Sequence, residues 1–194
     1  LEEGRVTIYT TKTIMQSFLR KYAAFSGEKA SFLAQLFNFN RVYIGRPFFL
    51  HGGEFEVFYS FHSIPTMAFR LRFQGKTFVY SSDHQADPSV QDSLLEKGLI
   101  TERRREQFAN FPWDSDVVYH ESGIAPLHTP IEYLSSLPAE VRAKCVVYHI
   151  SRKDFDAQGD EYLRRATFGI ENTLRFETQG FDLAQGYKLL DVIK

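Results

Sequence analysis

Four short apolar runs in this sequence each finish on a histidine or an aspartate. Val57-Phe58-Tyr59-Ser60-Phe61 leads to His62, and Phe78-Val79-Tyr80-Ser81-Ser82 leads to Asp83. Val117-Val118-Tyr119 leads to His120, with Glu121 next, and Val146-Val147-Tyr148 leads to His149. β-Branched and aromatic residues favour strands, so each run reads as a strand with a reactive side chain at its end. In α/β folds ligands bind beyond strand ends, where loops meet over a rigid sheet. Imidazole nitrogen and carboxylate oxygen are the ordinary ligands of zinc and similar hydrolytic metals. A single such residue is commonly a structural hydrogen-bonding group or an Asx turn. The repetition is what points to a site.

The rest of the chain alternates strands with helices, which predicts an α/β fold. Val6 to Thr10 is a strand. A helix starts near Thr13, with Ile14, Met15, Phe18, Leu19 and Tyr22 on one face, and Ser26-Gly27 interrupts it. A second helix carries Phe32, Leu33, Leu36 and Phe37. Phe55, Val57, Tyr59 and Phe61 alternate with polar residues as a strand with one buried face does. Met67 to Ser82 forms a hairpin that turns at Gln74-Gly75-Lys76. Asp87 with Pro88, and Thr101, are helix caps. Glu102 and Glu106 offset the run Arg103-Arg104-Arg105, so this helix face reads as solvated rather than as a nucleic-acid patch. Asp116 to Tyr119 and Cys145 to Tyr148 are strands, with short helices over Pro130 to Leu137 and Pro138 to Lys144 between them. A weak strand near Thr173 to Phe176 and an amphipathic end, Tyr187 to Ile193, follow.

Composition narrows the class. With 194 residues, 43% of them apolar, the chain can bury the core of one domain. Its 19 phenylalanines predict an aromatic-heavy core. A formal charge of -1 argues neither for nor against nucleic acid. The lone cysteine, Cys145, excludes a disulfide framework and fits a reducing compartment such as the cytoplasm. No apolar run reaches the ~18 residues of a membrane span, and no signal peptide is visible. Leu1-Glu2-Glu3-Gly4 reads as the end of a helix, so further residues are expected upstream.

The ordered fragments His62-Ser63-Ile64-Pro65-Thr66, Ser82-Asp83-His84, His120-Glu121, His128-Thr129 and His149-Ile150-Ser151 resemble the metallo-β-lactamase superfamily. The nearest branch is that of tRNA 3′-processing endonucleases and cyclic-nucleotide phosphodiesterases, and the likeness runs from about Val6 to Phe176. The resemblance implies a partial αββα sandwich, mixed sheets flanked by helices, over residues 1–180, with 181–194 as tail or linker. It implies two divalent metal ions, zinc in the first place and manganese or iron as alternatives. His62, Asp83 and His149 would be metal ligands, with Asp83 bridging the two ions. His128 and Glu121 would be the catalytic residues, with His128 contacting the scissile phosphate and assisting the leaving group. His120 and Glu121 match a nearby pair that orients ligating imidazoles.

The sequence departs from that family in three ways. The signature His-x-His-x-Asp-His, which supplies two ligands to each metal, is absent. Either the chain is cut just downstream of it or the domain never had it. Without it, these residues alone should bind metal weakly and turn over little. Ser82-Asp83-His84 replaces Gly-Asp-Thr, so Ser82 bears on the turn presenting Asp83, and His84 is expected at the surface. A plain hairpin joins His62 to Asp83 where the endonucleases carry their tRNA-gripping arm, which disfavours tRNA and favours a small substrate. His51 reads as a turn residue. Ser151 and Arg152 follow the last ligand, where substrate-facing groups sit, and Arg152 is placed to meet a phosphate.

The function implied is metal-dependent hydrolysis of a cyclic nucleotide or other small phosphodiester. A non-catalytic scaffold or ligand-sensing domain, and a thioester or lactone hydrolase, stand as alternatives. A homodimer, and a further domain beyond Gly180, are compatible with the sequence.

Overall fold

The computed structural model describes residues 4–158 and 160–169. Two parallel strands, β1 (Val6–Thr10) and β2 (Phe37–Arg41), form a small sheet. Between them lie helices α1 (Lys12–Ser26) and α2 (Ala30–Leu33). A seven-stranded mixed sheet follows in chain order: β3 (Phe48–Leu50), β4 (Gly53–Tyr59), β5 (Met67–Phe73), β6 (Lys76–Tyr80), β7 (Val117–Glu121), β8 (Cys145–Tyr148) and β9 (Arg164–Arg165). Helices α3 (Pro88–Glu96) and α4 (Glu102–Ala109) connect β6 to β7, α5 (Ile131–Ser136) and α6 (Ala139–Arg142) connect β7 to β8, and α7 (Arg152–Gln158) leads to β9. Among the described residues no helix is long and apolar enough to cross a membrane.

Strand direction decides where the reactive side chains gather. β4 and β6 both pair antiparallel with β5, so they run the same way. β7 and β8 then join parallel to β6. The carboxyl ends of β4, β6, β7 and β8 therefore lie on one edge of one sheet.

The caps form as expected. Thr11 accepts from Ile14 N–H, Asp87 from Ser89 N–H beside Pro88 at the helix start, and Thr101 from Arg104 N–H. The hairpin turns on Gln74 (φ 50°) and Gly75 (φ 74°), the left-handed pair that a two-residue turn requires. His51 also sits in a turn, at φ 49°.

Two expectations are corrected. Phe37 belongs to β2 rather than to a helix: Phe37 and Phe39 alternate with Asn38 and Asn40, and both rings pack on Phe18 of α1. The fully buried core is aliphatic rather than aromatic, built on Ala68, Val79, Val118, Leu134, Cys145 and Val147. Each fully buried Val or Leu contributes about 1.5–3 kcal/mol. Many aromatic side chains instead form a half-buried ladder, Tyr9–Phe48–Phe55–Phe69–Phe78–Tyr119, with centroid spacings of 5.3 to 6.0 Å. On β6 and β7 the period of two sends Val79 and Val118 to the core and Phe78, Tyr80 and Tyr119 to the ladder. The expected strand over 173–176, the amphipathic 187–193 segment, the helix end at 1–4 and the boundary near 180 lie wholly or partly outside the described residues.

Candidate functional site

Strand ends bring the predicted residues together. His62 and Asp83 each stand three residues past their strands, on loops, and His149 follows β8 directly. His120 and Glu121 lie inside β7 rather than beyond it, and both are fully buried. His149 Nδ1 is 3.8 Å from Asp83 Oδ1 and 3.7 Å from Glu121 Oε2. The His128 ring lies 4.8 Å from that of His149 and 5.1 Å from that of His62. Two positive-φ residues frame the site, Ser82 at 53° and His149 at 63°. Non-glycine residues adopt this conformation rarely, and it concentrates at functional sites.

Glu121 is the hub. Its Oε1 accepts the backbone N–H groups of His84 and Thr129, both at 3.1 Å, and its Oε2 meets His128 Nδ1 at 3.1 Å. Burial raises the Glu121 carboxyl to about 7 against the pull of those two N–H donors. Partial burial, helped by the His128 and His149 imidazoles, holds His62 below its ordinary value despite Asp83.

His84 corrects an expectation: it is fully buried, not at the surface. Its Nδ1 accepts Phe61 N–H at 2.9 Å, which places its proton on Nε2. One residue thus ties the exit of β4, the loop holding Asp83 and the carboxylate of Glu121. Successive residues of a strand face opposite ways, so His120 points away from Glu121's side chain. It stacks on Trp113 at 5.0 Å, and Nδ1 donates to Glu121 O at 2.7 Å. It reaches the site through that backbone and through the ring of His84, 5.8 Å away. Burial pushes His120 down to about 4 and His84 well below its usual value.

Further residues hold the cluster without having been anticipated. Thr129 Oγ1 donates to His84 O at 2.5 Å and accepts Ala86 N–H at 2.9 Å. Gln85 Nε2 donates to His128 O at 2.6 Å and Pro126 O at 3.1 Å. Ser81 Oγ accepts Glu121 N–H at 3.0 Å. Segments 81–86 and 121–129 are thereby stitched into one unit.

The structure does not bring Arg152 to the cluster. Its side chain is 81% exposed and pairs with Asp156 one turn along α7 at 3.4 Å. Ser151 lines a cleft of about 520 Å³ with His128 and His149, and donates to Asp154 at 2.7 Å.

The family described as anti-Pycsar protein Apyc1 matches residues 2–167. The cGMP-dependent 3′,5′-cGMP phosphodiesterase A of Dictyostelium discoideum is 36% identical over 194 residues, all of this chain and 22% of that protein. The cAMP/cGMP-dependent 3′,5′-cAMP/cGMP phosphodiesterase B of the same organism is 39% identical over 173 residues, 89% of this chain and 16% of that protein. The chain thus spans about a fifth of the length of these curated relatives. Among solved structures, the metallo-β-lactamase fold protein YhfI of Bacillus subtilis superposes with a TM-score of 0.51 at 11% identity, over 87% of this chain and 65% of that one. A diphosphatase of the PhnP family superposes with a TM-score of 0.53 at 15% identity, over 90% of this chain and 60% of that one. The expected metallo-β-lactamase fold is borne out, and the match across residues 2–167 places this chain in the anti-Pycsar protein Apyc1 family.

Proposed function

We propose that this chain contributes to the active site of a metal-dependent phosphodiester hydrolase whose substrate is a 3′,5′-cyclic nucleotide. The observation that carries the reading is the meeting of His149 with Asp83 and Glu121, beside His128 and His62, at the ends of separate strands. The relatives' names supply the substrate class. A thioester or lactone hydrolase draws on no specific contact here.

The donor set fits divalent metal ions. Imidazoles and a carboxylate converge, Asp83 and His149 are partly exposed, and zinc suits this nitrogen and oxygen mixture, with manganese or iron as alternatives. His62, Asp83 and His149 would hold the ions. Glu121 is engaged by three hydrogen-bond partners and serves His128 instead. Bound ions at such a site supply charge neutralisation of phosphoryl oxygens and a water with lowered pKa.

The chain's own residues have separable roles. Glu121 keeps the His128 proton on Nδ1, so Nε2 is the nitrogen that exchanges a proton with the leaving oxygen. Asp83 and His149 are held by the loop turns at Ser82 and by β8. His84 and Thr129 hold Glu121.

The test is metal content and turnover of the full-length protein on cyclic AMP and cyclic GMP. Wild type should bind about two divalent ions and open the cyclic phosphodiester. Asp83→Ala and His149→Ala should lose both. A metal content near zero in active full-length protein would overturn the reading.

A further inference from the structure

We infer that the cleft on the His62 side of the site is a second phosphate-binding subsite, separate from the phosphodiester position at the cluster. The cleft has a volume of about 570 Å³. Among the described residues its lining contains Lys12, Arg41, Arg46 and Arg104 and no aspartate or glutamate, in a chain that has 24 acidic and 23 basic residues. The cleft on the other side, about 520 Å³, is lined among the described residues by Glu132 and Asp154 and by no lysine or arginine. Charge is therefore sorted across the cluster.

The cations are arranged rather than scattered. The Arg104 guanidinium lies 3.9 Å over the ring of Tyr59. Arg41 and Arg46 lie 4.4 and 5.4 Å from the ring of Tyr43. An aromatic ring orients a guanidinium without neutralising it, which leaves its N–H fork for an anion. No ion pair joins any of these four cations to a described carboxylate. Arg105, the next residue along, pairs with Asp92 at 2.7 Å. The solvated face expected of Arg103-Arg104-Arg105 is thus divided, with Arg104 turned into the cleft. Four like charges around one cavity repel, and an anion offsets that repulsion. Lys12 lies in the first turn of the 15-residue helix α1, which has no acidic residue there, so the helix adds to the same field.

Phosphate is the chemistry that this lining recognises: several guanidinium forks, an ammonium, and the hydroxyls of Thr11 and Thr13. Two sources can supply it: a second phosphate on a phosphodiester substrate larger than a 3′,5′-cyclic mononucleotide, whose single phosphate occupies the cluster, or a free phosphate compound. Only the first rests on the hydrolase reading.

The test begins with chelator-treated full-length protein, so that metal cannot bind the probe. Calorimetry with inorganic pyrophosphate at low salt should show one site. Arg41→Gln/Arg104→Gln should weaken it at least tenfold, and Arg103→Gln, which removes the same charge from the exposed side of α4, should leave it within twofold. Lys12→Gln/Arg46→Gln provides a second pair if the first does not fold, judged by circular dichroism. No binding by wild type, or equal weakening by Arg103→Gln and the cleft variants, would overturn the subsite. With metal restored, a linear dinucleotide bearing a 5′-phosphate is compared with the same dinucleotide lacking it. A phosphate-dependent drop in KM that the cleft variants abolish assigns the subsite to substrate. Equal KM values with retained pyrophosphate binding assign it to a free anion. Absence of turnover on every phosphodiester would sink the hydrolase reading and leave the pyrophosphate result standing.

Discussion

Glu121 and His128 face each other across 3.1 Å, with the other oxygen of Glu121 occupied by two backbone N–H groups. A carboxylate fixed in that way leaves one imidazole tautomer available. Glu121→Gln can place an amide NH₂ toward His128 and reverse the donor order. We expect kcat of the full-length protein to fall about 10²-fold, in the range of general acid–base effects. His128→Asn should fall similarly, and the double variant should lose little more, because the pair acts as a unit. Metal content should stay at the wild-type level in all three. Additive losses would show that the two side chains act independently, and loss of metal would show that Glu121 works as a ligand instead.

The strand framework was legible because it rests on short-range pattern. Cys145 to Tyr148 is an apolar run in a strand, and the hairpin around Gln74-Gly75 has a turn with defined chemistry. The approach of Asp83 to His149, 3.8 Å apart, followed from strand ends meeting at one sheet edge, and His62 stands beside them against the ring of His128. β2 was hidden because Asn38 and Asn40 are poor strand residues and its pairing with β1 is long-range. His84 was hidden because no periodicity marks the segment where the chain dives inward after Ser82. Its burial depends on Phe61, Glu121 and Phe111, which arrive from other elements. The same holds for Thr129 and Gln85, whose side chains each reach backbone groups 40 or more residues away.

Two buried groups tilt stability in opposite directions with pH. Glu121 has its carboxyl raised to about 7 by burial, above its unfolded value. The folded state then holds the extra proton, so stability is full below about pH 4.3 and falls as pH rises toward 7. His120 has its imidazole pushed down to about 4 by burial. There the unfolded state holds the extra proton, so stability falls as pH drops from about 6.5 toward 4. In metal-free protein, Glu121→Gln should gain up to ~3 kcal/mol relative to wild type between pH 4.5 and 8. His120→Phe should reduce the acid-side loss by a similar amount. Urea unfolding across that range reads both slopes, and parallel curves for wild type and Glu121→Gln would refute the first.

Ser82 holds a left-handed backbone, φ 53°, immediately before Asp83. Glycine adopts that conformation without a Cβ penalty. Ser82→Gly should therefore raise stability by about 0.5–1 kcal/mol, the relief of strain exceeding the added chain entropy. Asp83 should keep its place, and kcat should stay within twofold. Thermal unfolding and turnover of the full-length protein measure both. A loss of stability would mean that the serine contributes more than its backbone geometry.

Gly123 sits where a side chain would press on His128. A Cβ built there would meet His128 Cβ at 3.0 Å and Cγ at 3.1 Å, tighter than ordinary packing. Its backbone φ is not in the left-handed region, so the obstacle is space alone. His128 is held from two sides, by Glu121 at Nδ1 and by Gln85 at its carbonyl, and cannot yield without stretching one of them. Gly123→Ala should displace the ring by a few tenths of an ångström. Near-attack geometry tolerates such shifts poorly, so kcat should drop about tenfold or more. Global stability should fall by only about 1–2 kcal/mol, in the range of a strained small-to-large change. The stability of Gly123→Ala should be measured with its turnover, because a kcat loss matched by unfolding would report the fold and not the imidazole. A folded variant with wild-type turnover would show that the position of His128 does not govern the reaction.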